Sequence, residues 1–500
     1  MTDPAVDTSP FAPLIRRLTT LAPRLGVAPE EPAARGAGPL LDAIARRLRE
    51  LDRADGVWLT LAVVAACLPT ADEVRRVRRE LRLASEATAY RVLMAATMRS
   101  PYGFAAEDVE VEIVDDVVVD VDFCARNRHN TGIQRVVRQT MARWHGHRPM
   151  TPVAWSDDLG AFRRLGADEL QRVVDWPGSR VSPAPAETGA PTRVVVPWNT
   201  AVLHLEVPAR HHLPGLAALA EFSGNRVGLI GYDTIPIVSA DTVPIAETER
   251  FVHYLTLVKH SHRVAGISDT ATNEFAGFAS AAAAQALPGP TTVSVPLPVD
   301  RPDTATATGP VAVAGADLPL VLCVGSQEPR KNQLAVIAAA ERLWDAGHRF
   351  RLRFIGGGSA SFIHRFDEVV ARARRRGLSI EVLRGAGDDD LVAAYREAAF
   401  TVFPSLHEGY GLPVAESLTF GVPVVTSDYG STAEIARDGG CLLVDPRSDD
   451  EIGDAMERLL TEPETLAALR AQIAERPSRT WDDYAEDLWR ELAEPLRGGA

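Results

Sequence analysis

Phe400-Thr401-Val402-Phe403-Pro404 runs straight into Ser405-Leu406-His407-Glu408-Gly409-Tyr410-Gly411-Leu412-Pro413-Val414-Ala415-Glu416, and then into Ser417-Leu418-Thr419-Phe420-Gly421 and Val422-Pro423-Val424-Val425-Thr426. The first apolar run reads as a buried strand that stops at Pro404. The glycine-bearing stretch reads as a loop, and Pro413 opens a short helix that Gly421 stops. The last run is the next strand. Strand, loop, helix, strand is half of a parallel α/β unit, so this stretch sets the fold class as α/β.

Two carboxylates bracket the loop. Glu408 falls just past a strand's carboxyl end, where open α/β sheets bind ligands. Glu416 is expected in the first turn of the helix. Gly409 and Gly411 let backbone approach a ligand with no Cβ in the way. A carboxylate can accept from two hydroxyls at once, and bare N–H groups suit phosphate, so the pattern fits a nucleotide sugar. The plainer reading of each glutamate alone is a solvated loop residue and a helix-dipole partner. The whole string, however, resembles the E-x7-E signature of retaining GT-B glycosyltransferases of group 1. That resemblance implies that Glu408 holds the donor sugar and Glu416 the ribose. It also implies that Gly409, Tyr410, Gly411 and Leu412 line the donor.

Upstream, Leu318 to Gly325 reads as a buried strand followed by Ser326-Gln327-Glu328-Pro329-Arg330-Lys331-Asn332 and a helix from about Gln333 to Ala346. Two adjacent cations at a helix start, on a protein of formal net charge −14, make a focused positive spot. Diphosphate suits it, with arginine as a fork and lysine as a point charge. The string is similar to the family's diphosphate clamp, which carries Arg330 and Lys331 over. Some relatives have a further arginine where this chain has Ser326. A strand from Phe350 to Ile355 ends at Gly356-Gly357-Gly358, which looks like the family's turn near the nucleotide. The Arg384-Gly385 turn, after a strand at Ile380 to Leu383, would sit beside the base. Leu391 to Ala399 reads as a helix.

In the first half, Val111 to Val114 and Val117 to Phe123 are β-rich. The loop from Asn127 through Gly132 enters a helix, a usual anion site; it resembles the glycine-rich first turn of the GT-B N-terminal domain, with Thr131 in place of a second glycine. Asp233 lies where the strand from Val227 runs out, in a Tyr-Asp-x-Ile-Pro string similar to one in mannosyltransferase-like members. It either orients a substrate hydroxyl or caps the turn before Pro236. Asp120-Val121-Asp122 has a metal-motif spelling but sits in a strand, and we read it as structural.

The chain has 500 residues and 46% hydrophobic content, which indicates two or three soluble domains with ample core. Its acidity argues against nucleic acid as a partner. Four scattered cysteines, none in a C-x-x-C pair, signal neither zinc nor a disulfide scaffold. No signal peptide is visible, and the apolar run Val57 to Leu68 falls short of the ~20 residues that span a bilayer. Residues 1 to about 35 are expected to be partly disordered. Helices follow to about Met98, one of them capped by Thr70. Arg75, Arg76, Arg78, Arg79 and Arg82 there either pair with nearby acids or face anionic lipid.

The expected architecture is GT-B: a helical extension (1–108), a Rossmann-like acceptor domain (109–300), a linker (301–317), a Rossmann-like donor domain (318–475) and a closing helix (476–500) that returns to the first domain. The resemblance implies a metal-independent, retaining hexosyltransferase of the cytoplasm or inner membrane face, needing no cofactor. GDP-mannose is the expected donor and a saccharide or lipid-linked unit the acceptor. Arg330, Lys331, Glu408 and Asp233 are its candidate catalytic residues. Peripheral membrane contact and a homo-oligomer built on the extension stay open. So do a non-catalytic nucleotide-sugar-binding scaffold, a phosphorylase and an epimerase.

Overall fold

The computed structural model describes residues 11–99, 109–130, 132–176, 192–298 and 318–497. The expected linker 301–317, Thr131 and the first ten residues lie outside them. Six strands form the second sheet: β10 (Leu320–Val324), β11 (Arg351–Ile355), β12 (Ile380–Leu383), β13 (Ala398–Phe403), β14 (Val424–Ser427) and β15 (Cys441–Val444). All pair in parallel, in the order β12-β11-β10-β13-β14-β15. That order reverses between β10 and β13, the topological switch point at which a doubly wound sheet opens a ligand crevice. Buried Val321, Cys323, Phe354, Phe400, Val402 and Val425 hold the sheet to its helices. They are the near-continuous apolar runs that a sheet covered on both faces needs.

The first sheet has nine strands, β1 (Val109–Val114), β2 (Val117–Asp120), β3 (Met150–Ser156), β4 (Ala161–Arg164), β5 (Thr192–Pro197), β6 (Ala201–His204), β7 (Arg226–Gly231), β8 (Arg263–Gly266) and β9 (Thr291–Ser294). Their order is β1-β5-β4-β3-β2-β6-β7-β8-β9, parallel except where β4 meets β3 and β5. The chain is therefore a two-sheet GT-B fold.

Several expectations are corrected. Residues 12–21, 22–25 and 30–34 are helical, although their Pro/Ala/Gly content pointed to disorder. Leu14, Leu18 and Leu21 are fully buried, and tertiary burial overrides weak local propensity. The helical start shares one continuous core with the first sheet, from Leu14 through Trp58 to Val194 and Phe275. The strand expected to reach Phe123 stops at Asp120, and Asp122–Arg126 turns into a short helix whose first N–H groups are capped by Glu206 (Phe123 N 2.6 Å, Cys124 N 2.9 Å). Ala398 and Ala399 belong to β13 and not to the helix before it, which spans Asp388–Glu397.

Thr70 and Glu73 form a reciprocal capping box. The arginines after it make ion pairs: Arg75 with Glu221, Arg76 with Glu80, and Arg78 and Arg82 with Asp52. The four cysteines form no disulfide. No helix among the described residues is long and apolar enough to cross a membrane. The C-terminal helices return to the first domain. Trp489 meets Trp144 edge-on at 5.1 Å, and Trp144 Nε1 donates to the Ala485 carbonyl at 2.9 Å.

Candidate active site

The loop after β10 and the loop after β13 face each other across the switch point. Lys331 and Arg330 sit in a short turn, Pro329–Lys331, whose backbone the other loop fixes: Leu406 N donates to the Arg330 carbonyl at 2.8 Å, as does Ser405 Oγ at 3.0 Å. Glu408 then meets both cations, Lys331 Nζ at 2.5 Å and Arg330 Nη1 at 3.0 Å, and accepts from Ser405 Oγ at 2.6 Å. Lys331 also lies 5.0 Å from the Phe403 ring centre, a cation–π contact. Arg330 has a second carboxylate partner, Glu328 at 3.1 Å, which Ser326 Oγ holds at 2.6 Å.

Burial opposes ionisation of Glu408, but the charges of Lys331 and Arg330 outweigh it and bring the carboxyl down to about 2. Burial lowers Lys331 while Glu408 resists the change. Burial likewise works against Arg330, and Glu408 and Glu328 more than restore its charge. Three charged groups so placed survive burial only together.

The first domain closes on this cluster. A Cβ on Gly409 would fall 2.3 Å from the Tyr232 carbonyl oxygen, so only glycine permits that approach of the two domains. Ser268 Oγ donates to the Gly409 carbonyl at 2.7 Å. His407 bridges the domains, with Nε2 2.7 Å from Glu274 and Nδ1 2.8 Å from Ser239 Oγ. Glu274 in turn accepts from the backbone and hydroxyl of Thr234 at 2.8 and 2.7 Å. Burial disfavours the imidazolium of His407, but the bond to Glu274 and the nearby Asp233 and Glu408 outweigh it and raise its pKa. Asp233 accepts from Ile235 N at 3.1 Å, the capping role its sequence allowed. Burial raises its pKa against the pull of Arg330, and the two residues line the same hollow.

Glu416 is corrected in position. The helix spans Leu412–Thr419, so Glu416 is in its second turn and not its first. It binds Arg135 of the first domain at 2.9 Å and accepts from Tyr395 Oη at 3.1 Å. Burial raises its carboxyl pKa against both partners. Gly132 begins the helix Gly132–Trp144 and faces Leu412 so closely that a Cβ there would meet Leu412 Cδ1 at 2.8 Å. Arg384 is held by Asp367 and Gln327, both at 2.6 Å. The Gly357 carbonyl accepts from Gln327 N at 2.6 Å, tying the glycine turn to the loop that carries the cations. Tyr410 is buried away from the clamp, and its hydroxyl donates to the Leu297 carbonyl at 2.7 Å.

Ser326, Arg330, Lys331, Glu408, Gly409 and Asp233 thus form one neighbourhood. Gly132, Leu412 and Glu416 form a second, across the same loop and helix. The sequence reading missed Arg135, Tyr395, Glu274 and Ser239. Each acts through a contact to a residue far away in the chain, which no local pattern records. His407 was inside the quoted motif but had no visible partner.

A lysine–arginine–glutamate cluster thus fills the switch-point crevice of the second, parallel sheet. Residues 312–476 match the model of the family described as glycosyl transferases group 1. The chain is 32% identical over 193 residues to a D-inositol 3-phosphate glycosyltransferase of Nocardia farcinica (strain IFM 10152), covering 37% of this chain and 42% of that protein. It is 36% identical over 134 residues to O-antigen chain mannosyltransferase B of Escherichia coli, covering 26% and 34%. These alignments span less than half of either relative's length. Among solved structures, sucrose-phosphate synthase (tll1590) from Thermosynechococcus elongatus superposes with a TM-score of 0.51 at 15% identity, over 75% of this chain and 98% of that one.

Proposed function

We propose that the protein transfers a hexose, with retention, from a nucleoside-diphosphate sugar to a saccharide or lipid-linked acceptor. The convergence of Arg330, Lys331 and Glu408 at the switch point carries this reading. Breaking a glycosyl–phosphate bond builds negative charge on the diphosphate and positive charge on the sugar ring. Arg330 and Lys331 are fixed in advance where the diphosphate would lie and stabilise the leaving group as its charge develops. Fixed cations can do this without a metal ion. Glu408 holds the cations in place when no ligand is bound. With donor present it shares them with the diphosphate and accepts from sugar hydroxyls. Glu416, with Arg135 and Tyr395, holds the ribose, and the Gly132 helix start faces the phosphates.

The contacts of His407 and Gly409 with the first domain keep water out of the reacting centre, which limits donor hydrolysis. The acceptor hydroxyl attacks from the leaving-group face, and Asp233 positions it. Mannose is the hexose favoured by the likeness to O-antigen chain mannosyltransferase B and to serotype-specific mannosyltransferase WbdA of Escherichia coli, and the Tyr-Asp-x-Ile-Pro string makes GDP-mannose the proposed donor. The relatives' names point to two acceptor types, D-inositol 3-phosphate and an O-antigen chain. The test is a panel of nucleotide sugars, read by release of nucleoside diphosphate with and without acceptor. Acceptor-dependent release from one donor is expected. Release that needs no acceptor, or none from any donor, would defeat the reading.

A further inference from the structure

Beside the clamp, a hollow of about 520 Å³ opens between the two domains. It begins at Asp233 and Arg330 and runs outward along the segment from Ile235 to Glu247. Four carboxylates line it, those of Asp233, Asp241, Glu247 and Glu328, against the single guanidinium of Arg330. That guanidinium is already engaged by Glu328 at 3.1 Å and Glu408 at 3.0 Å. Glu247 shares its charge with Arg250 at 2.8 Å, and carboxylates still outnumber guanidinium groups around the hollow. Ile235, Pro236, Val243 and Pro244 give it an apolar wall.

From this lining we infer that the acceptor presents an uncharged saccharide unit to the site, with no phosphate on the sugar that receives the hexose. The inference rests on the transfer reading above and adds the acceptor's class. Carboxylates accept hydrogen bonds from hydroxyls, and an aliphatic and proline wall suits the C–H face of a pyranose ring. A phosphate in the same space would face like charges on the protein and on the donor's diphosphate, with no unengaged cation among the lining residues. Such repulsion excludes a wrong ligand more sharply than a missing contact does. The sugar unit can belong to a free oligosaccharide or to the end of a carrier-linked chain, since the hollow reads only the terminal unit.

With the donor that the panel selects, kcat/KM is compared for methyl α-mannoside, a mannose disaccharide and octyl α-mannoside against mannose 6-phosphate and an inositol monophosphate. Uncharged acceptors are expected to work, and the phosphorylated ones at least tenfold less well. A higher kcat/KM for the octyl than the methyl glycoside assigns the unit to a carrier-linked chain, and equal values to a free saccharide. The double variant Asp241→Asn/Glu247→Gln should narrow the phosphate penalty at least threefold. Equal or better use of a phosphorylated acceptor, an unchanged penalty in the double variant, or no use of any uncharged saccharide would overturn the inference. Failure of the transfer reading would instead show as no thermal stabilisation by any nucleotide sugar, a measurement the acceptor does not enter.

Discussion

Glu408→Gln removes one charge from a buried cluster of three and nearly preserves its shape. The Glu408 side chain is 9% exposed, like that of Lys331. Its carboxyl is brought from an ordinary 4.5 to about 2. Each pKa unit is worth about 1.4 kcal/mol, so the ionised carboxylate contributes about 3 kcal/mol to folding at neutral pH. Breaking a buried pair by removing one partner costs a similar ~3–5 kcal/mol, because the other charges are left uncompensated. For a unit of this size that lowers the melting temperature by roughly 6–12 °C.

The pH dependence has a definite sign. The folded pKa lies below the unfolded one, so the contribution is complete above about 4.5 and is lost as pH falls toward 2. Urea unfolding of wild type and variant should therefore show a constant gap from about pH 5 to 7 that closes on acidification. The variant should also bind nucleoside diphosphate more tightly while failing to transfer sugar, because Lys331 loses its carboxylate partner and Arg330 one of its two. A variant within ~0.5 kcal/mol of wild type at pH 7, the usual range for surface changes, would refute the charge argument.

Four further outcomes follow from the geometry. Gly409→Ala places a methyl against the Tyr232 carbonyl, so turnover should fall at least tenfold with the melting temperature nearly unchanged; small-angle scattering should show a more open molecule. His407→Gln should weaken domain closure most at low pH. The His407 pKa is raised above 6.5, so its contribution is full below that value and is lost as pH rises through the raised one; a pH profile of turnover for both proteins checks it. Arg135→Ala leaves Glu416 with Tyr395 alone and should raise the donor KM at least fivefold, read by initial rates. Trp489→Ala empties a fully buried site against Trp144 and should cost about 3–5 kcal/mol in denaturant unfolding.

The C-terminal domain was legible because its apolar runs are short, continuous and separated by proline and glycine, so strands, loops and helix starts followed in order. The members of the charged cluster were legible because Arg330-Lys331 and Glu408 each follow a strand. Their mutual ion pairing was not, because it depends on β10 and β13 being neighbours at the switch point. The helical start was misjudged at residues 11–35, since alanine- and proline-rich sequence reads as loose until Leu14, Leu18 and Leu21 are seen inside a core. Arg135 was invisible because the helix from Gly132 has arginines on several faces, and only the folded chain shows which one meets Glu416, 281 residues away.

Calorimetric titration of nucleoside diphosphate and its sugar into wild type and Lys331→Ala tests the donor site most directly. Saturable binding to the wild type, weakened at least tenfold by the substitution, is the predicted result. Equal affinity in both proteins, or no binding to either, would contradict a diphosphate grip at the switch point.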